Sequence, residues 1–141
     1  MKKFILKTDP TATAATTLTL PWKQRIKSRF KVVLDSGEDA DVFLGRGEIL
    51  RNRDILATSD GYTAQVVAAK EEVTTAYAES SRSLLLACYH LGNRNVEVEI
   101  GKNWVRYRQD HVLDEMVKGL GLTPETGLFP FEPEKGEYGT H

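Results

Sequence analysis

Hydrophobic and polar positions along the chain change their period near residue 70. Before it, β-branched and other apolar residues come in short runs with almost no helical repeat. Turn formers separate the runs at Asp9-Pro10, DSGEDA (35–40), NRD (52–54) and SDG (59–61). The pattern predicts an all-β domain over residues 1–69. Within it Lys23, Arg25, Lys27, Arg29 and Lys31 occupy every second position, with Ile26, Phe30 and Val32 in the alternate register. A period of two predicts one strand with five cations on one face. Two readings stand: a half-buried strand whose solvated lysines guard a sheet edge, or a groove for an acidic partner protein. Charges usually line exposed strand faces, which favours the first. Gly45-Arg46-Gly47 lacks the Lys-Ser/Thr of a phosphate loop and the spacing of a dinucleotide fingerprint, and reads as a turn.

From residue 70 the pattern alternates between the two periods. VTTAY (73–77) is strand-like. A helix follows, capped by Ser80 or Ser81, with Leu84, Ala87, Cys88 and Leu91 on one face, and Gly92 is the expected left-handed stop. NVEVEIGKNWVRYR predicts a hairpin turning at Gly101-Lys102. That register sets Ile100 opposite Asn103, Val98 opposite Val105 and Glu97 opposite Arg106. A second helix opens at Asp110, carries Val112, Leu113, Met116, Val117 and Leu120 as its apolar face, and ends at Gly121. GLFPF (127–131) contains a proline and fits an edge strand. The order strand, helix, strand, strand, helix, strand over residues 70–132 predicts a ferredoxin-like βαββαβ domain, making the chain α+β. Residues 133–141 are polar and read as a mobile tail.

A chain of 141 residues folds as one compact domain or as two small ones that lean on each other or on an oligomer; a two-domain dimer fits. With 19 basic and 20 acidic side chains there is no net field pointing to nucleic acid or to an anionic membrane. The single cysteine forms no internal disulfide. MKKFILKTDP is too short in apolar residues for a secretory signal, and no run approaches the roughly 20 residues of a membrane span. The expectation is a cytoplasmic protein.

Candidate chemistry rests on three histidines, His90, His111 and His141, with Asp110 beside His111. Sequence distance does not decide whether they meet, because two helices of a plait lie side by side. Taken singly, each is better explained as a surface residue or a ligand's neighbour than as a ligand. Asp110 is a poor second ligand if it caps its helix. Cys88 lies in the apolar stripe and reads as a small buried hydrophobe, whereas His90 lies off it. The two point about 200° apart on a helix and form no nucleophilic dyad. No active site is predicted.

ACYHLGNR (87–94), DHVLDEMVKGLGL (110–122) and FPFEPEKGEY (129–138) resemble the C-terminal half of the UreE urease accessory family, whose members are nickel metallochaperones. KSRFKVVLDSGEDADVFLGRGEILRNRDIL (27–56) resembles that family's N-terminal β domain, in the same order. The resemblance implies a β domain likened to peptide-binding chaperone modules, followed by a ferredoxin-like domain that dimerises. It implies Ni(II) held at the dimer interface by one histidine from each chain. It also implies delivery to apo-urease in a complex with the other accessory proteins, including a GTPase. The family places its interface histidine directly after GNR, where this chain has Asn95. Gln109 stands where some relatives have histidine, and the histidine-rich tail of many members is reduced to His141. The ligand set implied for this chain is therefore His90, His111, His141 and Asp110, whose imidazoles also suit Zn(II) or Cu(II) in vitro. A carboxamide oxygen is a harder and weaker donor to Ni(II) than imidazole. Three readings follow: a natural member holding metal elsewhere, a deliberately substituted chain, or one impaired in nickel delivery. The rival function is a metal-free adaptor that holds the maturation complex together.

Overall fold

The computed structural model describes residues 1–135, which divide into two compact units, Met1–Ala69 and Lys70–Lys135. The first contains β1 (Lys2–Thr8), β2 (Thr16–Leu20), a one-turn α1 (Trp22–Arg25), β3 (Arg29–Val33), β4 (Asp39–Phe43), β5 (Ile55–Thr58) and β6 (Thr63–Ala68). The strands form one mixed sheet in the order β2-β6-β5-β1-β4-β3. Alternation along each strand sends Phe4, Leu18, Leu20, Ala40, Val42, Leu56, Ala64 and Val66 into a shared core. The turn formers act as expected. Gly37 and Gly61 adopt left-handed φ values of 92° and 90° at their turns. Thr17 and Thr19 each donate a hydroxyl to Asp35 Oδ2, at 2.6 and 2.7 Å, and the Asp35 amide donates to the Thr17 carbonyl. These bonds tie the β3–β4 turn to β2.

The cationic strand expected over residues 23–31 is not present. Pro21 presets the backbone for a helical turn, and its carbonyl accepts from the amides of Gln24 and Arg25. That turn breaks the period of two. Arg25 is fully buried, with Nε donating to the Leu20 carbonyl at 3.0 Å and its guanidinium 5.2 Å from the centroid of the Trp22 ring. Lys23 and Lys27 are exposed but lie outside any strand, and only Arg29 and Lys31 alternate on β3 against the inward Phe30 and Val32. The five cations do not share a face.

The second unit runs β7 (Lys70–Tyr77), α2 (Ser81–Asn93), β8 (Glu99–Ile100), β9 (Trp104–Arg108), α3 (His111–Gly119) and β10 (Thr123–Pro130). Its sheet has the order β10-β7-β9-β8, every pairing antiparallel, with β10 at an edge. Ala76, Val105 and Tyr107 present one face to Ala87 and Leu91 of α2 and to Leu113 and Val117 of α3. Ser80 caps α2 by accepting from the Ser83 amide, and Asp110 caps α3 by accepting from the Leu113 amide. Both caps stand where the sequence places them. Val112 does not join the apolar face of α3; it is 57 % exposed.

Two local details differ from the sequence reading. The hairpin register is shifted by two: Ile100 faces Val105 and Glu99 faces Arg106. The Trp104 indole lies over Gly101, where a Cβ would sit 2.1 Å from Trp104 Cε2. A three-residue connection, Gly101 to Asn103, results, and the Gly101 amide donates to the Trp104 carbonyl across it. Glu97 consequently pairs with Arg108 and Glu99 with Arg106. Second, Gly92 is helical and does not stop α2. The left-handed residue is Asn95, at φ 59°. Its amide donates to the Gly92 carbonyl at 2.9 Å, and that of Val96 donates to the Leu91 carbonyl at 3.0 Å. Val96 packs into the same cluster as Leu91. This is a Schellman termination with Asn at the left-handed position. α3 ends the same way, with Gly121 in that role at φ 94°.

The face of this sheet away from the helices is covered by side chains. Arg106 lies 4.5 Å from the Trp104 ring centroid and 4.8 Å from that of Phe129, and its Nε donates to Thr75 Oγ1 at 2.8 Å. Of the predicted tail, residues 133–135 are described: Pro133 is buried, and the Glu134 amide donates to the Val98 carbonyl at 2.7 Å. The tail's beginning is thus anchored to the second unit. The remainder, residues 136–141, lies outside the described residues.

Candidate functional site

The end of α2 and the start of α3, far apart in sequence, meet at one open groove. Asn95, Val96, Glu97, Arg108, Gln109, Asp110 and Leu113 line it. The Schellman turn fixes the α2 side by setting the backbone of Asn95. On the other side the Gln109 amide donates to the Glu72 carbonyl of β7 at 3.2 Å, and Asp110 caps the helix. Glu97 and Arg108 face each other at 3.6 Å. His111 follows as the first residue of α3, with its side chain exposed.

Of the expected ligands, Asp110 lies on the groove, as does Asn95, and His111 adjoins it. His90 is half-buried in the last turn of α2, its ring 5.2 Å from that of Tyr89 in an edge-on arrangement. His141 is outside the described residues. Among the described residues, no three His, Cys, Asp or Glu side chains gather closely enough to hold a metal ion. A cation held by imidazoles therefore needs donors beyond these residues of one protomer. Asp110 Oδ1 is engaged in capping, as its sequence position suggests. Burial raises the Cys88 thiol above its ordinary range, leaving it a weak nucleophile.

A hydrogen-bond relay behind the groove escapes the sequence reading. Tyr107, fully buried, donates its hydroxyl to Asp114 Oδ1 at 2.8 Å, and Gln109 Nε2 donates to Asp114 Oδ2 at 3.1 Å. Burial, followed by the Asp114 carboxylate, pushes the Tyr107 phenol far above its ordinary range. Tyr107 therefore acts as a permanent donor. One signal was available: a tyrosine on the apolar side of a strand needs a partner for its hydroxyl.

Among the exposed apolar side chains of this unit, two lie together on α2. Leu85 and Tyr89, one turn apart on α2, are 69 % and 65 % exposed. At that spacing they share a helix face, next to His90.

Residues 3–69 match the family described as UreE urease accessory protein, N-terminal domain, and residues 71–141 match its C-terminal domain. Curated relatives carry the same name. The urease accessory protein UreE of Alkalilimnicola ehrlichii is 50 % identical over 128 residues, covering 91 % of this chain and 78 % of the relative. That of Proteus mirabilis is 47 % identical over 123 residues, covering 87 % and 76 %, and that of Shewanella halifaxensis 45 % identical over 135 residues, covering 96 % and 77 %. Among the described residues no helix is long and apolar enough to cross a membrane. With a mostly-β N-terminal region and a mixed α/β C-terminal domain, the chain belongs to the UreE family of urease accessory proteins, which serve urease maturation and are not enzymes.

Proposed function

We propose that the protein is a cytoplasmic nickel metallochaperone that carries Ni(II) to apo-urease as a homodimer during assembly of the urease metallocentre. One observation carries the reading: the groove that unites Asn95 with Asp110, and adjoins His111. The exposed Leu85–Tyr89 face supports self-association. A two-fold contact along it would bring His90 and the α2 ends of two protomers together, and pooling donors is how a chain with too few ligands completes a coordination shell. A labile site of few imidazoles suits a carrier that must release its cargo. Residues 70–132 serve as the metal-binding and dimerising domain. The strand order of this unit, with its two helices on one face, supports reading it as a ferredoxin-like plait. Residues 1–69 recognise partners, namely urease and the other accessory proteins with their GTPase. Lys23, Lys27, Arg29 and Lys31 are the cations available for that contact; Arg25 is withdrawn by burial.

The rival reading, a metal-free adaptor, is favoured by the carboxamide at position 95 and the sparse ligand set. Metal content after purification without chelators, followed by calorimetric titration with Ni(II) at a sedimentation-defined oligomeric state, separates the two. A carrier binds one Ni(II) or fewer per dimer reversibly and passes it to apo-urease. A protein that emerges empty and stays empty under excess Ni(II) is an adaptor.

A further inference from the structure

β3 ends its sheet, and the hydrogen-bond pattern fixes which of its backbone groups are left open. The Leu44 amide donates to the Ser28 carbonyl and the Leu34 amide to the Glu38 carbonyl, each at 2.8 Å. Bonded and non-bonded pairs alternate along an antiparallel ladder. Between these two closures, therefore, Phe30 and Val32 are the residues that bond β4, opposite Val42 and Ala40. Arg29, Lys31 and Val33 turn their N–H and C=O groups to the free edge, where no strand of the described residues pairs with them. Their side chains are exposed, Val33 by 59 %, whereas Phe30 and Val32 pack half-buried against the core. An open groove at this edge is lined by Gln24 of α1 together with Lys31, Val32, Val33 and Asp39.

An unpaired edge is a template for another strand, and the side chains along it select which strand. A second copy adding antiparallel through the same edge, centred on Lys31, would set Lys31 against its own counterpart, a destabilising pair of like charges. Carboxylates in the facing positions reverse the sign. The wider field agrees, since basic residues outnumber acidic ones over residues 1–69 and the reverse holds beyond them. Resting on the reading that residues 1–69 recognise partners, we infer that the β3 edge takes up an extended acidic segment of a partner protein as an added strand. Carboxylates of that segment lie against Arg29 and Lys31, and its alternate apolar side chains cover Phe30 and Val32. Main-chain pairing supplies the affinity of such a contact, and the alternating side chains supply its specificity.

Amide hydrogen exchange of the full chain, with and without a synthetic peptide of alternating glutamate and valine, tests this. In the free protein the Lys31 and Val33 amides should exchange faster than those of Phe30 and Val32, which β4 holds. Saturating peptide should slow exchange at Arg29, Lys31 and Val33 and leave Phe30 and Val32 little changed, an alternation that side-chain docking alone does not produce. A peptide of alternating glutamate and proline lacks every second amide and cannot extend a ladder. It should bind at least about tenfold more weakly in calorimetry. Lys31→Glu turns an attractive cross-strand pair into a repulsive one and should weaken binding of the glutamate–valine peptide by about tenfold. Val33→Pro should also weaken it while keeping the parental melting midpoint, because that amide does not serve β4. Should Val33→Pro unfold, Lys31→Glu and the exchange pattern decide. Equal binding of the two peptides, or unchanged exchange at positions 29, 31 and 33, overturns the proposal. Sedimentation of the parent and of Lys31→Glu with apo-urease and the other accessory proteins separates this from the underlying reading. Complexes of equal affinity leave partner recognition standing and remove the β3 edge from it, whereas no complex with the parent means that the partner reading itself fails.

Discussion

Position 95 ties a backbone requirement to the proposed cargo site, and its substitution gives the sharpest test. Asn95 adopts φ 59°, a region where a Cβ costs roughly 1–2 kcal/mol and where glycine, asparagine, aspartate and histidine are the residues most often found. Replacement by alanine keeps the Schellman hydrogen bonds at 2.9 and 3.0 Å but removes the local polar compensation, so it should cost about 1 kcal/mol. If the second unit unfolds cooperatively, that lowers its midpoint by about 4–8 °C. Asn95→Gly should match or exceed the parent. Asn95→His should stay within about 1 kcal/mol of it, since histidine tolerates this region. The same change restores an imidazole on the groove and should raise Ni(II) affinity by tenfold or more, equivalent to at least about 1.4 kcal/mol. Thermal unfolding followed by far-UV circular dichroism, paired with calorimetry, reads both effects. An alanine variant as stable as the glycine variant would refute the conformational argument. A folded Asn95→His protein with parental nickel affinity would place position 95 outside the cargo site.

Three further outcomes are expected. Tyr89→Asp puts a charge on the exposed α2 face and should shift the proposed homodimer toward monomer in sedimentation without loss of helicity; sedimentation matching the parent would remove this face as the self-association surface. Gly101→Ala would set a Cβ 2.1 Å from the Trp104 ring, forcing the indole off its place beside Arg106 at a cost of about 1–3 kcal/mol. Tryptophan emission should shift to the red, since Trp22 stays buried, and an unchanged spectrum would contradict the placement. The hydroxyl of Thr17, aided by that of Thr19, holds the Asp35 carboxyl below its ordinary range. A depressed folded-state pKa means stability that is present above the unfolded value of about 3.9 and lost as pH falls through the folded one. The midpoint difference between parent and Asp35→Asn should therefore be constant above about pH 5 and shrink below about pH 4; a difference independent of pH would remove Asp35 as an ionised tie.

Much of the second unit is legible from period and caps. Ser80 and Asp110 begin their helices because short polar side chains satisfy orphan amides, a requirement local to a few residues. The faces of the hairpin are legible for the same reason, but its register is not. A slip of two residues leaves every side chain on its face, so alternation could not distinguish Val98 from Ile100 as the partner of Val105. The indole lying on Gly101 made that choice.

What the sequence by itself determined is local: most strand and helix segments of the second unit, the N-terminal caps at Ser80 and Asp110, the inward faces, and through resemblance the family. Tertiary structure decided whatever depends on distant segments. Arg25 belongs to a helical turn and the core because Pro21 and the packing around Trp22 outweigh a period of two. Asn95 closes a helix because Val96 must fold back onto Leu91. The groove exists because α2 and α3 pack on the same face of one sheet, and the Tyr107–Asp114–Gln109 relay forms behind it because a buried phenol needs an acceptor. Spacing along a chain carries the requirements of neighbouring residues, whereas the meeting of residues 95 and 110 is set by the energy of the whole packed layer.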